Sequence, residues 1–139
     1  MNNIKIQTPA EGFLDISIEI KKVVRESGVV KGLCNVYIPH TTAGITINEN
    51  ADPDVVTDML EGLDKIVPKL KYRHYEGNTI AHIKASLMGA SINIPIDNGV
   101  RTETGLSGFI INGISTHDRV VKFLCPFIID GRPCFDVVI

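Results

Sequence analysis

The chain has no tryptophan and only three cysteines, Cys34, Cys125 and Cys134. Their odd number, wide spacing and lack of a CxxC pair argue against a disulfide framework and against a cysteine-based zinc site. Reduced thiols serving as small core residues fit better, because free cysteine is among the most buried residue types. No apolar run approaches the roughly 20 residues that cross a bilayer, so no membrane partner is expected. The opening residues, MNNIKIQTPAEGF, lack a basic stretch followed by an apolar one, so the expectation is a cytoplasmic protein without a secretory signal. Nothing resembles a lysine- or arginine-rich run, and 14 basic side chains face 16 acidic ones. Nucleic acid is therefore not an expected partner. The phosphate-cradling loops GxxxxGK(S/T) and GxGxxG are both absent, so no nucleotide cofactor is expected. A GxSxG nucleophile elbow is absent too, and Ser107 in Gly105-Leu106-Ser107-Gly108 reads as a turn residue.

What is present describes one domain. The length is 139 residues and 44% of them are apolar, enough for a packed core. No repeat or Pro/Gly/Ser-rich linker divides residues 1–139. Asn3–Thr8 alternates polar and apolar residues, as a half-buried strand does. Ile16–Val24 is ambiguous in period and is assigned to a helix running to about Ser27, ended by Gly28. Leu33–Ile38 and Gly44–Asn48 are strands rich in β-branched residues, with Pro39–Ala43 as a strand end or turn. Ala51–Val67 is the clearest helix, with Asp52 as cap, Pro53 at its first position and a stripe of Val56, Met59, Leu60, Leu63 and Val67. Asp54, Asp58 and Glu61 fall on its other side. A polar loop, Lys71–Asn78, leads to a short helix, Thr79–Met88, capped by Asn78. Ser91–Ile96 is a strand, and Phe109–Ile111, Val120–Leu124 and Asp136–Ile139 follow as strands. The pattern predicts an α+β fold: a compact two-layer sandwich with a largely antiparallel sheet and two or three helices.

Three histidines occupy informative places. His40 ends a strand, His74 lies in the polar loop and His82 lies on the short helix. Helical spacing puts Thr79 and Ser86 on the face of His82, and Ile80, Ile83 and Leu87 on another. Imidazole is the commonest transition-metal ligand at neutral pH, and three protein ligands plus water is the usual catalytic zinc set. His40, His74 and His82 could supply three, for zinc or another divalent ion such as magnesium. Metal-free acid–base work and plain structural hydrogen bonding remain alternatives, since the spacing is unlike a compact motif such as HExxH.

A carboxylate cluster, Asn48-Glu49-Asn50-Ala51-Asp52-Pro53-Asp54, follows a strand and opens a helix. Asp52 suits the free N–H groups of the first turn. Glu49 precedes the cap and is a candidate to orient a histidine or hold a metal. Asp54 and Asp58, one turn apart, suit a solvated face as well as a site. The helix after Gly77-Asn78 offers free N–H groups to an anion, and Lys84 and Arg73 could add charge, so a small phosphate or other anion is a candidate ligand.

These residues resemble a known pattern. His40-Thr41-Thr42-Ala43, then Asn48 to Val55 with Asp58 a turn later, then Tyr72-Arg73-His74, Gly77-Asn78, Ala81-His82-Ile83-Lys84-Ala85-Ser86-Leu87, Gly89 and Ile94-Pro95-Ile96 resemble the YjbQ-like family, in order, over roughly residues 5–99. The resemblance implies a small α+β sandwich assembled as a homotrimer around a threefold axis. It also implies the weak activity for which members are called secondary thiamine-phosphate synthases. It carries over His40, Thr41, Glu49, Asp54, His74, His82 and Ser86 as positions converging on a metal- or anion-holding site, with His40, Glu49, His74 and His82 in the catalytic roles. Lys84 would offset ligand charge.

The last third departs from that pattern. A Trp-containing stretch is replaced by Thr104-Gly105-Leu106-Ser107-Gly108, and residues between about 111 and 122 look inserted. His117 has no family counterpart there, and Asp130 and Arg132 are the candidate substitutes for missing site residues. Two classes of function therefore stand open. One is an enzyme of the thiamine-phosphate synthase type. The other is a non-catalytic trimeric protein binding a metal or metabolite.

Overall fold

A computed structural model describes residues 2–9, 11–49, 52–97, 119–125 and 134–139. Seven strands and three helices are formed by these residues. The strands are β1 (Asn3–Gln7), β2 (Gly12–Asp15), β3 (Lys31–Tyr37), β4 (Gly44–Glu49), β5 (Ser91–Asp97), β6 (Arg119–Cys125) and β7 (Cys134–Val138). The helices are α1 (Ser17–Ser27), α2 (Pro53–Ile66) and α3 (Thr79–Met88). The α+β class is as the sequence predicts, and every described strand pair is antiparallel. The strands divide between two sheets, ordered β1-β7-β3-β5 and β2-β6-β4. Phe109–Ile111, Ser107, His117, Asp130 and Arg132 lie outside the described residues.

Alternation in the strands produces the core. In β3, Cys34 and Val36 point inward while Lys31, Leu33, Asn35 and Tyr37 face out. The antiparallel register sets Cys34 against Ile94 and Val36 against Ile92, so both strands present one apolar face. Helix α1 adds Ile20 and Val24 to the same cluster, which also takes in Ile6, Ile16, Ile38, Ile45, Ile96 and Val137. The helix stops where Gly28 turns left-handed (φ 69°) and donates its N–H to the Arg25 carbonyl. A side chain in that conformation would be strained, which is why glycine ends the helix.

Helix α2 begins as its sequence dictates. The Asp52 carboxylate accepts the Asp54 N–H at 2.9 Å, and Pro53 sits at the first helical position. Its apolar stripe is only half enclosed; Leu63 and Val67 are buried. Helix α3 differs from its sequence reading in two respects. Asn78 does not cap it by its side chain; the amide nitrogen donates instead to Glu76 Oε2 at 3.2 Å. The buried face is Ala81, Lys84 and Ala85, whereas Ile80 and Ile83 are half-buried and Leu87 is exposed. Small residues win this face because β4 passes very close to it. A Cβ placed on Gly44 would lie 2.7 Å from Met88 Cβ and 3.2 Å from the Ala85 carbonyl oxygen.

Candidate functional site

The site forms where β3 ends and α3 ends. After Tyr37 the chain leaves the first sheet, turns through Pro39–Ala43 and enters β4 in the second. Two backbone hydrogen bonds fix this junction to the segment after α3. The Ile38 N–H donates to the Ala90 carbonyl at 2.8 Å, and the Ile45 N–H to the Gly89 carbonyl at 3.0 Å. The turn carrying His40 and Thr41 is thereby held against the helix carrying His82 and Ser86. The result is an open cleft of about 700 Å³. Its polar lining is Tyr37, His40, Thr41, His82 and Ser86, and its apolar lining includes Ile38, Ala43, Ala85 and Ala90. His40 and His82, 42 positions apart in the sequence, thus share one concavity, as binding sites commonly require.

The other candidate residues distribute as follows. His74 packs edge-on against His82, ring centroids 5.5 Å apart at 72°, and its Nε2 lies 3.6 Å from Glu76 Oε2. It stands behind His82 and is not among the residues lining the cleft. Among the described residues, no group of three or more His, Cys, Asp and Glu side chains is placed to hold a metal ion. The triad His40, His74 and His82 is thus a pair of neighbouring histidines with His40 across the cleft, which does not fit a closed zinc site. Asp54 is exposed at the start of α2, with its N–H bonded to Asp52. Glu49 is the last residue of β4, and its side chain lies outside the described set.

Lys84 is the clear correction. Expected to offset ligand charge, it is 1% exposed and absent from the cleft lining. Its ammonium donates to Glu11 at 2.7 Å and to Asp64 at 2.5 Å. Burial alone would push its pKa down, but the hydrogen bonds and charges of Asp64 and Glu11 outweigh this and hold it above the usual lysine value. The hydrogen bond from Lys84 holds the Asp64 carboxyl below the usual carboxylate range. Sequence reasoning missed Glu11 and Asp64 because both look like ordinary surface acids; a lysine inside a helix that buries it was the only cue.

The electrostatics of the cleft are sparing. Among the described residues, no Lys, Arg, Asp or Glu lines it. The lining residues of α3 run from His82 through Ala85 and Ser86 toward its C-terminus, the partially negative end of a helix. The Ser86 hydroxyl donates to the His82 carbonyl at 2.8 Å, leaving its lone pairs outward. Positive charge in this cleft can therefore come only from protonated imidazoles, among the described residues. Below the cleft, at the other end of α3, Asn78 Oδ1 and Thr79 Oγ1 are buried without a partner among the described residues.

No helix among the described residues is long and apolar enough to cross a membrane. Comparison with known proteins extends the picture. The family model described as UPF0047 protein YjbQ-like matches residues 2–108. The UPF0047 protein YugU of Bacillus subtilis is 48% identical over 95 residues, 66% of this chain and 71% of that protein. A UPF0047 protein of Methanocaldococcus jannaschii is 49% identical over 90 residues, 64% of this chain and 65% of its own length. Among solved structures, an uncharacterised conserved protein of the YjbQ/UPF0047 family from Clostridium acetobutylicum superposes with a TM-score of 0.82 at 42% identity, covering 99% of this chain and 97% of the other.

Proposed function

The chain belongs to the YjbQ-like UPF0047 family, and from that premise we propose that it binds a small anionic metabolite, of the phosphate-ester type, in the cleft between His40 and His82. The observation that carries this reading is the convergence of two imidazoles, with Thr41 beside them, on one open concavity that has no lysine, arginine or carboxylate in its lining among the described residues. A protonated imidazole donates from both ring nitrogens, and hydrogen bonds from a charged donor to phosphate are roughly twice as strong as neutral ones. The apolar lining suits the uncharged body of such a ligand. Its binding has to overcome the partially negative end of α3, so it depends on imidazolium charge.

Binding stands ahead of catalysis. Thiamine-phosphate synthesis requires departure of diphosphate, helped by a divalent cation or by basic groups. The described lining offers neither a carboxylate to hold magnesium nor a lysine or arginine. A homotrimer belongs to the same proposal. It is favoured by apolar side chains left exposed on and beside β3, with Leu33 at 63% and Val30 at 59%.

The test is calorimetric titration with sulfate, which keeps its charge from pH 5 to 8, and then with a phosphate monoester. We expect sulfate affinity to rise severalfold as pH falls from 8 to 5.5, because only a protonated imidazole donates from both ring nitrogens, and to vanish in His82→Ala. Absence of sulfate and phosphate-ester binding at either pH overturns the reading. Divalent-cation binding that instead strengthens with rising pH, as neutral imidazoles become available, replaces it with a metal site.

A further inference from the structure

We propose that Lys84 is a positioning residue for the cleft: through its buried bonds to Glu11 and Asp64 it sets the rotation of α3, and so aims His82 and Ser86 at His40. The inference rests on the cleft reading above for its purpose, though not for its geometry.

Packing alone defines the rotation of α3 poorly. Its fully buried apolar residues are Ala81 and Ala85, whose side chains are single methyl groups. A methyl-lined face can turn by tens of degrees against its neighbours without losing much contact, because it has no long side chain to interlock. The larger apolar residues do not supply the missing lock, with Ile80 and Ile83 half-buried and Leu87 54% exposed. At the C-terminal end, Gly44 keeps β4 close to Met88 and Ala85. That contact fixes a distance more than an angle.

Lys84 supplies the angle. Its side chain is 1% exposed, yet it carries a charge whose burial is costly unless fully partnered. Its two partners come from separate places. Glu11 precedes β2 and is 73 positions away, while Asp64 lies near the end of α2, 20 positions away. One ammonium thus ties α3 to two elements at once, and hydrogen bonds are directional where methyl contacts are not. An apolar residue of similar length would fill the same space without specifying a direction.

The helix geometry then links the tie to the cleft. Two residues along a helix correspond to about 200° of rotation, so His82 and Ser86, each two positions from Lys84, project from the side opposite to it. His82 and Ser86, four apart, project together. The edge contact between the His82 ring and the ring of His74, in the loop before α3, reports the resulting orientation. Loosening Lys84 on one side turns the histidine on the other.

The test compares wild type with Lys84→Met, which keeps an apolar side chain of similar reach and leaves Glu11 and Asp64, 46% and 51% exposed, free to hydrate. Two readings are taken: NMR contacts between the His74 and His82 rings, which need no ligand, and sulfate affinity at pH 5.5. We expect the inter-ring contacts to weaken or vanish in a folded Lys84→Met protein, and sulfate affinity to fall at least tenfold. Unchanged ring contacts in the folded variant overturn the proposal, whatever sulfate does. If wild type binds no sulfate, the cleft reading fails, while the ring contacts still decide the role of Lys84. Should Lys84→Met fail to fold, Glu11→Gln weakens one of the two ties at a half-exposed carboxylate. It should shift the same contacts partway, and no shift there overturns the proposal as well.

Discussion

The two sides of α3 treat ionisable groups in opposite ways. On one side Lys84 is sealed from water, held in its charged form and bonded to two carboxylates. On the other, two positions away in either direction, His82 and Ser86 line an open cleft with no lysine, arginine or carboxylate among the described residues. By type alone the lysine would be expected at the surface, reaching for solvent or a ligand. The difference shows that burial and partnering, not residue type, separate a structural charge from a functional one. A lysine whose donors are taken by protein carboxylates has little left to offer a ligand.

The largest effect should come from stripping Lys84 of its partners. Glu11→Ala with Asp64→Ala leaves an ammonium inside the protein with nothing to neutralise it. Breaking a buried pair in this way costs about 3–5 kcal/mol. Removing the buried member instead, as Lys84→Met, leaves two half-exposed carboxylates that water can serve, and the cost should be about 1 kcal/mol or less. Urea denaturation measures both. Equal losses would mean that the triad acts as a simple pair of surface salt bridges, and the contrast between the two sides of α3 would collapse.

Next in size is Gly44→Ala. The new methyl would stand 2.7 Å from Met88 Cβ and 3.1 Å from the Gly89 carbonyl oxygen, both parts of the wall of α3 and its exit. Neither is the free end of a flexible side chain, so the helix end must move. Overpacking of this kind costs about 1–3 kcal/mol. Because the Ile45 N–H bond to Gly89 crosses the same spot, sulfate affinity should fall together with stability. His82→Ala should separate the two, with stability changing by about 1 kcal/mol or less and sulfate binding lost. Melting temperature and calorimetry on the same preparations distinguish the cases.

These contrasts mark what could be read from the sequence. Element positions were legible because their signals are local. Alternation gives β1, β-branched content gives β3, the Asp52-Pro53 start gives α2, and Gly28 gives the end of α1. The pairing of His40 with His82 was legible as a candidate through the motif order, although nothing local says that the exit of α3 folds back on the exit of β3. Three things were hidden because they depend on long-range packing. The division into two sheets follows from the turn at Pro39–Ala43, which carries the chain out of the first sheet. The buried face of α3 follows from the close pass of Gly44, which favours alanines over the isoleucines that hydropathy alone selects. The fate of Lys84 follows from Glu11 and Asp64, neither of which has any sequence relation to it.

The smallest predicted effect concerns pH, and its sign is fixed by the two shifts. The Asp64 carboxyl is held down by its hydrogen bond from Lys84. Its contribution is therefore complete above the unfolded aspartate value near 3.9 and is lost as pH falls through the lower folded value. For Lys84, burial pushes down but Asp64 and Glu11 prevail and raise it. Its contribution is complete below the unfolded lysine value near 10.4 and is lost as pH rises through the higher folded one. The stability gap between wild type and Lys84→Met should then stay level from about pH 5 to 9 and drift against wild type below about pH 4 and again above the unfolded lysine value near 10.4. Because the Asp64 side chain is 51% exposed, solvent screening keeps that acid drift small. Sulfate binding in the cleft, by contrast, should change steeply across pH 5.5 to 8, in the interval where the stability gap is level. Denaturation curves and titrations over one pH series would show the two sides of a single helix answering to different protons. A stability gap that instead moves near pH 6.5 would mean that a histidine is coupled to the Lys84 tie, and the two sides would be one electrostatic unit.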